Sequence, residues 1–218
     1  MLECVVNVSE GADEHVVERI AASAGRDLLD RHSDPHHNRT VLTLVGQEAP
    51  RRVASTVVQL LDLRRHTGAH PRIGVVDVVP FVPLTGATMA DAVAARDDFI
   101  TWIARELEVP AFAYGPGSPA PGGVASGPLG PGRSLPEVRR GAFVELAPDA
   151  GPPRPHPTAG AVAVGAREVL VAWNVWLAEP DLDRAREVAA AVRGPDLRAL
   201  GLAVGDRVQV SMNLVAPD

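Results

Sequence analysis

Residues 73–79 read Ile-Gly-Val-Val-Asp-Val-Val, and this run decides the fold that the sequence predicts. It is apolar almost throughout, as is typical of a strand buried on both faces, and we expect Pro80 to end it because proline has no N–H for the strand ladder. The preceding segment, 50–65, repeats apolar residues at helical spacing. The run is therefore predicted to be the last strand of a unit that begins near residue 3.

Upstream of this strand, the sequence alternates between element types. Helical periodicity predicts a helix over 13–24. Short apolar or β-branched runs predict strands over 3–8, 27–34 and 40–45. The resulting order, β-α-β-β-α-β, is that of the split βαβ or ferredoxin-like unit, in which both helices cover one face of an antiparallel sheet. We therefore predict an α+β fold.

Downstream, the chain extends this unit and then begins another. Residues 89–107 predict a long helix and residues 111–114 a short strand. Residues 115–132 break the pattern, since 12 of the 18 are Gly or Pro, which is typical of a surface loop, with a mobile lid as the alternative. The last part then predicts only β-α-β-β. We expect a first subdomain over 1–165 and a truncated second subdomain over 166–218.

Composition excludes several classes of protein. The chain has 218 residues, 46% hydrophobic and 22% charged, which excludes disorder throughout. A net charge of −6 argues against a nucleic-acid partner. No apolar run reaches the roughly 18 residues of a membrane span, and the start has no secretory signal pattern, so we expect a cytoplasmic protein without a membrane partner. All 21 basic residues are Arg, which excludes Schiff-base lysine chemistry.

Histidines are concentrated in two predicted turn regions, 29–40 and 64–74. Both regions contain histidines four residues apart, a spacing that suits a metal site when both lie on one helix. Pro35 and Gly68 interrupt these two stretches, so we expect no metal, and a metal-dependent hydrolase is only an alternative. The five histidines in these regions are His32, His36, His37, His66 and His70.

His70 differs from the other turn histidines. It lies between a glycine-containing turn and Pro71, immediately before the buried strand, so its backbone has little freedom. The ordinary imidazole pKa, about 6.5, suits general acid–base catalysis near neutrality. Arginines flank the same turns, and a guanidinium is the preferred partner of a carboxylate. This combination predicts group transfer to or from a small acidic molecule. The flanking arginines are Arg39, Arg64, Arg65 and Arg72.

Two motifs resemble a known family. Residues 3–11 (ECVVNVSEG) resemble the opening motif of the glutamate formimidoyltransferases, and residues 66–81 (HTGAHPRIGVVDVVPF) resemble the family's longest motif. Asn38-Arg39-Thr40 and shorter segments as far as 210–214 extend the likeness over nearly the whole chain.

The resemblance implies a fold and a reaction. In that family, two ferredoxin-like subdomains flank a folate-binding cleft, and the enzyme moves a formimino group from N-formimino-glutamate to tetrahydrofolate, its co-substrate, in histidine degradation. The catalytic histidine of the family falls on His70, which would take a proton from the attacking folate nitrogen and return one to the departing glutamate amine. For the developing charge of the tetrahedral state, we expect Asn7, Ser9 and Asn38 as donors.

The remaining expectations concern binding and assembly. A non-catalytic folate- or amino-acid-binding protein is the alternative, because the second subdomain is incomplete. The open edge of that subdomain predicts a homodimer. His32 stands where some members of the family carry an acid. The further residues predicted to bind substrate or folate are Glu10, His32, Arg39, Arg64, Arg72 and Asp77.

Overall fold

The computed structural model describes residues 1–68, 71–119 and 129–215. The chain divides into two compact units, Met1–Arg167 and Glu168–Asp218. Of the predicted loop 115–132, residues 120–128 lie outside the described residues. None of the helices in the described ranges combines the length and apolarity that a membrane crossing requires.

The first unit contains the predicted ferredoxin-like arrangement. Its first four strands lie in the order β2-β3-β1-β4, with every neighbouring pair antiparallel, which confirms the β-α-β-β-α-β prediction. The elements of the unit are β1 (Leu2–Val8), α1 (Glu14–Ala24), β2 (Leu28–Asp34), β3 (Arg39–Val45), α2 (Glu48–Leu60), β4 (Val76–Pro83), α3 (Met89–Glu106), β5 (Ala111–Tyr114), α4 (Leu135–Gly141) and β6 (Val162–Ala166).

The whole sheet is six-stranded and mixed, because β5 and β6 extend the antiparallel unit beyond β4. Strand β4 continues through Pro80 to Pro83, which corrects the prediction that Pro80 ends it. Strand β6, which sequence analysis missed, pairs in parallel with both β4 and β5. All five residues of β6 are buried, and a strand covered on both faces shows no alternation of polar and apolar residues. The strand is a short apolar run like that of β4, but it consists mostly of small residues and follows a Pro-rich passage, and the sequence analysis did not identify it.

The two faces of the sheet differ. Alternate residues of β1, such as Cys4 and Val6, join the main core together with α1, α2 and α3. On the opposite face, Val138 of α4 packs against Val78 and Phe112. On the same opposite face, β1 and β3 carry Asn7 and Arg39, which contact each other in the candidate site.

The second unit is a three-stranded antiparallel sheet covered by one helix. Its strand order is β7-β9-β8, and a small core that includes Ala185, Ala199 and Val210 lies beneath the helix. The described residues thus contain the predicted β-α-β-β series. Its elements are β7 (Leu170–Trp176), α5 (Leu182–Val192), β8 (Leu197–Val204) and β9 (Arg207–Val215).

Candidate active site

Asp77 lies at a bulge in β4. Asn7 pairs with Val78 and Val8 pairs with Val76, so Asp77 is the additional residue on β4. A bulge redirects the side chain of the extra residue, and Asp77 is only 2% exposed. Its Oδ1 accepts a hydrogen bond from the Ile73 N–H at 2.9 Å. The bulge therefore holds a buried carboxylate directly after the segment that contains His70.

Three arginines act on this carboxylate. Arg139 of α4 donates a hydrogen bond to Asp77 Oδ2. Burial raises the pKa of Asp77, and the positive charges of Arg139, Arg39 and Arg72 oppose that effect. Guanidinium groups are the preferred partners of carboxylates, so these three arginines are candidates for binding an acidic group. We refer to Asp77, Arg39, Arg72 and Arg139 as the Asp77 cluster.

Asn7 holds Arg39 in this cluster. The Arg39 guanidinium donates to Asn7 Oδ1, and Asn7 Nδ2 donates to the Val5 carbonyl at 2.9 Å. Burial lowers the pKa of Arg39, and the Asp77 carboxylate counteracts this. Both polar atoms of the Asn7 amide are thus engaged within the chain. In the structure, Asn7 positions the Arg39 guanidinium, whereas we expected from the sequence that Asn7 donates a hydrogen bond to the transition state.

Asn38 joins the two histidine-containing turns. Its φ is 47°, in the left-handed region that asparagine adopts more readily than most residues. Its Oδ1 accepts from the Gly11 N–H at 2.8 Å, and its Nδ2 donates to the Thr67 carbonyl at 2.8 Å. The amide of Asn38, like that of Asn7, therefore makes internal bonds that position neighbouring segments.

Close packing at Gly68 brings the two turn regions together. A Cβ at this position would lie 2.6 Å from the His37 carbonyl oxygen and 2.9 Å from Asn38 Cβ. The Arg72 guanidinium donates to the Gly68 carbonyl at 2.8 Å. Sequence spacing left open whether the turns meet, and the structure shows that segments 66–68 and 37–38 are in contact.

Ser9 and Glu10 hold the loop between β1 and α1. Ser9 Oγ donates to the Gly74 carbonyl at 2.8 Å. Glu10 Oε1 accepts from the backbone N–H groups of Gly11, Ala12 and Asp13 at 2.9, 2.8 and 2.9 Å. Both side chains thus contact backbone beside the Asp77 cluster, and their bonds fix the loop.

Two predicted site residues lie outside the cluster. His32 has a side chain that is 83% exposed, and its Nε2 lies 3.1 Å from Asp30 Oδ2. Arg64 binds Asp62 in its own turn, with Nε at 2.9 Å from Oδ1 and an Nη at 2.6 Å from Oδ2. This pairing raises the pKa of Arg64 and lowers that of Asp62. His70 lies outside the described residues.

His66 and Arg139 lie in the site region, but the sequence analysis did not predict either as a catalytic or binding residue. Burial and then the charge of Arg72 lower the pKa of His66, and Glu10 and Ser9 oppose this. The His66 Nδ1 lies 3.5 Å from Asn38 Nδ2. His66 belongs to the 66–81 motif, which could have drawn attention to it, whereas nothing local to Arg139 points to Asp77.

No metal centre is formed by the side chains that the structure describes. Across residues 1–68, 71–119 and 129–215, His, Cys, Asp and Glu side chains do not converge in groups of three or more that could hold an ion. The chemistry available to the Asp77 cluster is the binding of anionic groups by guanidinium donors.

The fold and the site define a class: an α+β protein in which a split βαβ unit carries a cluster of arginines around a buried carboxylate. Comparison with known protein families identifies the family. The family model for the N-terminal subdomain of the formiminotransferase domain matches residues 1–167. The chain belongs to this formiminotransferase family.

The matches to individual relatives cover different shares of those proteins. The chain is 37% identical to the glutamate formimidoyltransferase of Streptococcus pyogenes serotype M1, over 99% of the chain and 77% of the relative. It is 33% identical to that of Thermoplasma acidophilum, over 98% of the chain and 76% of the relative. The formimidoyltransferase-cyclodeaminase of Sus scrofa is 38% identical over 80% of the chain but only 34% of its own length.

Proposed function

We propose that the protein is a glutamate formimidoyltransferase, which transfers a formimino group from N-formimino-glutamate to tetrahydrofolate. The observation that carries this proposal is the Asp77 cluster, where Arg139 pairs with one buried carboxylate and the charges of Arg39 and Arg72 also act on it. Both substrates carry glutamate carboxylates, for which guanidinium groups are the preferred partners. The two relatives named glutamate formimidoyltransferase support the same assignment.

Arg39 and Arg72 are the groups that bind substrate carboxylates in this proposal. Asp77 and Asn7 hold the guanidinium groups in place, because Asp77 attracts all three arginines and Asn7 accepts a hydrogen bond from Arg39. Preorganised charges of this kind need no rearrangement when a substrate binds. The cluster thereby fixes the acidic ends of the donor and acceptor.

His70 is the general acid and base in this proposal. It takes the proton from the attacking nitrogen of tetrahydrofolate as the new carbon–nitrogen bond forms. It then returns a proton to the glutamate amine as the old carbon–nitrogen bond breaks. Support comes from the chain on either side, since Gly68 packs against Asn38 and Arg72 donates to Gly68.

A non-catalytic folate- or amino-acid-binding protein is the second candidate. The Asp77 cluster is compatible with it, because guanidinium groups bind carboxylates whether or not a transfer follows. Such a protein would keep the Asp77 cluster for binding and perform no transfer.

Titration calorimetry followed by a turnover assay separates these functions. We expect the chain to bind tetrahydrofolate and N-formimino-glutamate, and to release glutamate only when both are present. Binding of either compound without turnover favours the non-catalytic protein. If the chain binds neither compound, the result contradicts both the proposed transferase and the non-catalytic alternative.

A further inference from the structure

Tyr114 carries a hydroxyl on the same face of the first sheet as Asn7 and Arg39. It ends β5, and its ring packs with Phe112 and Val138 in the small core beside α4. The residue is only 7% exposed. Within the part of the chain that the structure describes, no group forms a hydrogen bond with the Tyr114 hydroxyl, and yet this oxygen is not sealed from solvent. The hydroxyl is therefore the accessible tip of an otherwise buried side chain.

A glycine on the neighbouring strand directs this hydroxyl towards β4. Tyr114 pairs with Gly165 of β6, and Gly165 pairs on its other side with Pro80 of β4. A Cβ at Gly165 would lie 2.1 Å from Tyr114 Cζ and 2.4 Å from each Cε atom, so the ring lies where any other residue would have its side chain. The hydroxyl, which is bonded to Cζ, thus extends across β6 towards the strand that carries Asp77.

The backbone that follows Tyr114 is fixed by two contacts. Gly115 has a φ of 82°, and a Cβ there would lie 2.0 Å from the Ala166 carbonyl oxygen, a combination that only glycine permits. Arg96, a buried residue of α3, donates to the Pro116 carbonyl at 2.6 Å. These contacts hold the end of β5, so the Tyr114 hydroxyl needs little ordering when a ligand binds.

The charges around Tyr114 favour a hydrogen bond to an anion. Burial raises the pKa of the Tyr114 hydroxyl, and the positive charges of Arg167 and Arg139 oppose this rise. The hydroxyl therefore stays protonated at neutral pH and can donate its proton to an acceptor. Arg139 is also the residue that pairs with Asp77. A protonated hydroxyl beside guanidinium groups is suited to the same acidic ligand as the Asp77 cluster.

We propose that the Tyr114 hydroxyl donates a hydrogen bond to a glutamate carboxylate of a substrate bound at the Asp77 cluster. This inference rests on the proposed transferase function, in which both N-formimino-glutamate and tetrahydrofolate carry such carboxylates. Tyr114 contributes to the selection of an acidic ligand and takes no part in the proton transfers assigned to His70.

Steady-state kinetics of Tyr114→Phe test this contact, because phenylalanine keeps the buried ring and removes only the hydroxyl. We expect KM to rise about tenfold or more for the substrate that the hydroxyl contacts, since a hydrogen bond to a charged group is lost. The turnover number should stay at the wild-type value, because the contact is the same before and during the transfer. A rise for N-formimino-glutamate identifies the donor carboxylate, and a rise for tetrahydrofolate identifies the glutamate of the folate.

Thr56→Val is the matched control, because it also removes a single hydroxyl. Thr56 Oγ1 donates to the Arg52 carbonyl at 3.0 Å within α2, and α2 covers the other face of the sheet. This variant should keep the wild-type KM for both substrates. Thermal melts of Tyr114→Phe should match the wild type, since the lost hydroxyl has no partner in the described chain.

The outcomes separate this inference from the proposed function. If the wild type is active and Tyr114→Phe keeps both KM values, the inference is overturned and the transferase stands. A fall in kcat without a change in KM, or a lower melting temperature with both KM values unchanged, overturns it equally. If the wild type shows no turnover, calorimetric dissociation constants of the two compounds replace KM, and the same values for wild type and Tyr114→Phe overturn the inference.

Discussion

Asp77 and Arg139 form an ion pair that joins the bulge of β4 to helix α4 across 62 positions of sequence. The Asp77 side chain is 3% exposed and that of Arg139 is 20% exposed. The positive charges of Arg39 and Arg72 also favour the ionised form of this carboxylate and so lower its pKa. The pair thus connects the strand that follows the His70 segment to the only helix described between residues 129 and 167.

Removing Arg139 should destabilise the first unit. Arg139→Met leaves the buried Asp77 carboxylate without its nearest counter-charge, so we expect the free energy of unfolding to fall by about 3 kcal/mol. In the double variant Asp77→Asn, Arg139→Met, the buried carboxylate is removed together with Arg139, so part of the stability returns. Chemical denaturation of the wild type, the two single variants and the double variant measures the coupling between Asp77 and Arg139. Strictly additive losses of unfolding free energy would contradict this coupling.

Arg39 should contribute to binding of the acidic donor. We expect Arg39→Met to raise KM for N-formimino-glutamate about ten- to a hundredfold, since a charged hydrogen bond to the substrate is lost. Arg64→Met is the control, because Arg64 already binds Asp62 and its side chain is 67% exposed. Steady-state kinetics of both variants measure this KM. An equal increase for the two substitutions would contradict the binding role of the Asp77 cluster.

The parts of the account that sequence could predict are those with a local signal. The β-α-β-β-α-β order follows from periodicity, and His70 follows from its motif. Strand β6 has only a weak local signal, a short apolar run of mostly small residues. The Asp77–Arg139 pair has none, because the two residues meet only in the folded chain. Arg39 and Arg64 have the same charge and similar flanking turns, and only the structure shows that Asp62 binds one of them.

A methyl group at position 68 should disturb the contact between the two turns. The Cβ of Gly68→Ala would lie 2.6 Å from the His37 carbonyl oxygen, so we expect a loss of about 1–3 kcal/mol of stability from overpacking. Turnover should fall as well, since the segment that leads to His70 must shift. Gly194→Ala is the control, because its Cβ meets nothing within 4 Å. Thermal melts and kcat measure both effects, and the same stability for both variants would contradict the prediction.

His66 should make stability depend on pH. Burial lowers its pKa below the ordinary 6.5 in the folded chain, so the folded state binds a proton less readily than the unfolded state. Its contribution to stability is complete above pH 6.5 and is lost as the pH falls through 6.5 towards the lowered value.

Urea unfolding above and below this range tests the contribution of His66. The wild type should lose more stability than His66→Gln on acidification, and the exposed His15 provides the control substitution, His15→Gln. If His66→Gln and the wild type lose the same amount of stability, His66 does not carry this pH dependence.

The turnover number of His70→Ala is the most direct test of the central claim. Loss of a general acid and base should lower kcat for formimino transfer by about a hundred- to ten-thousandfold, while His15→Ala keeps the wild-type value. Binding of N-formimino-glutamate to His70→Ala should persist, since the Asp77 cluster is intact. A His70→Ala protein that transfers the formimino group at the wild-type rate would contradict the account.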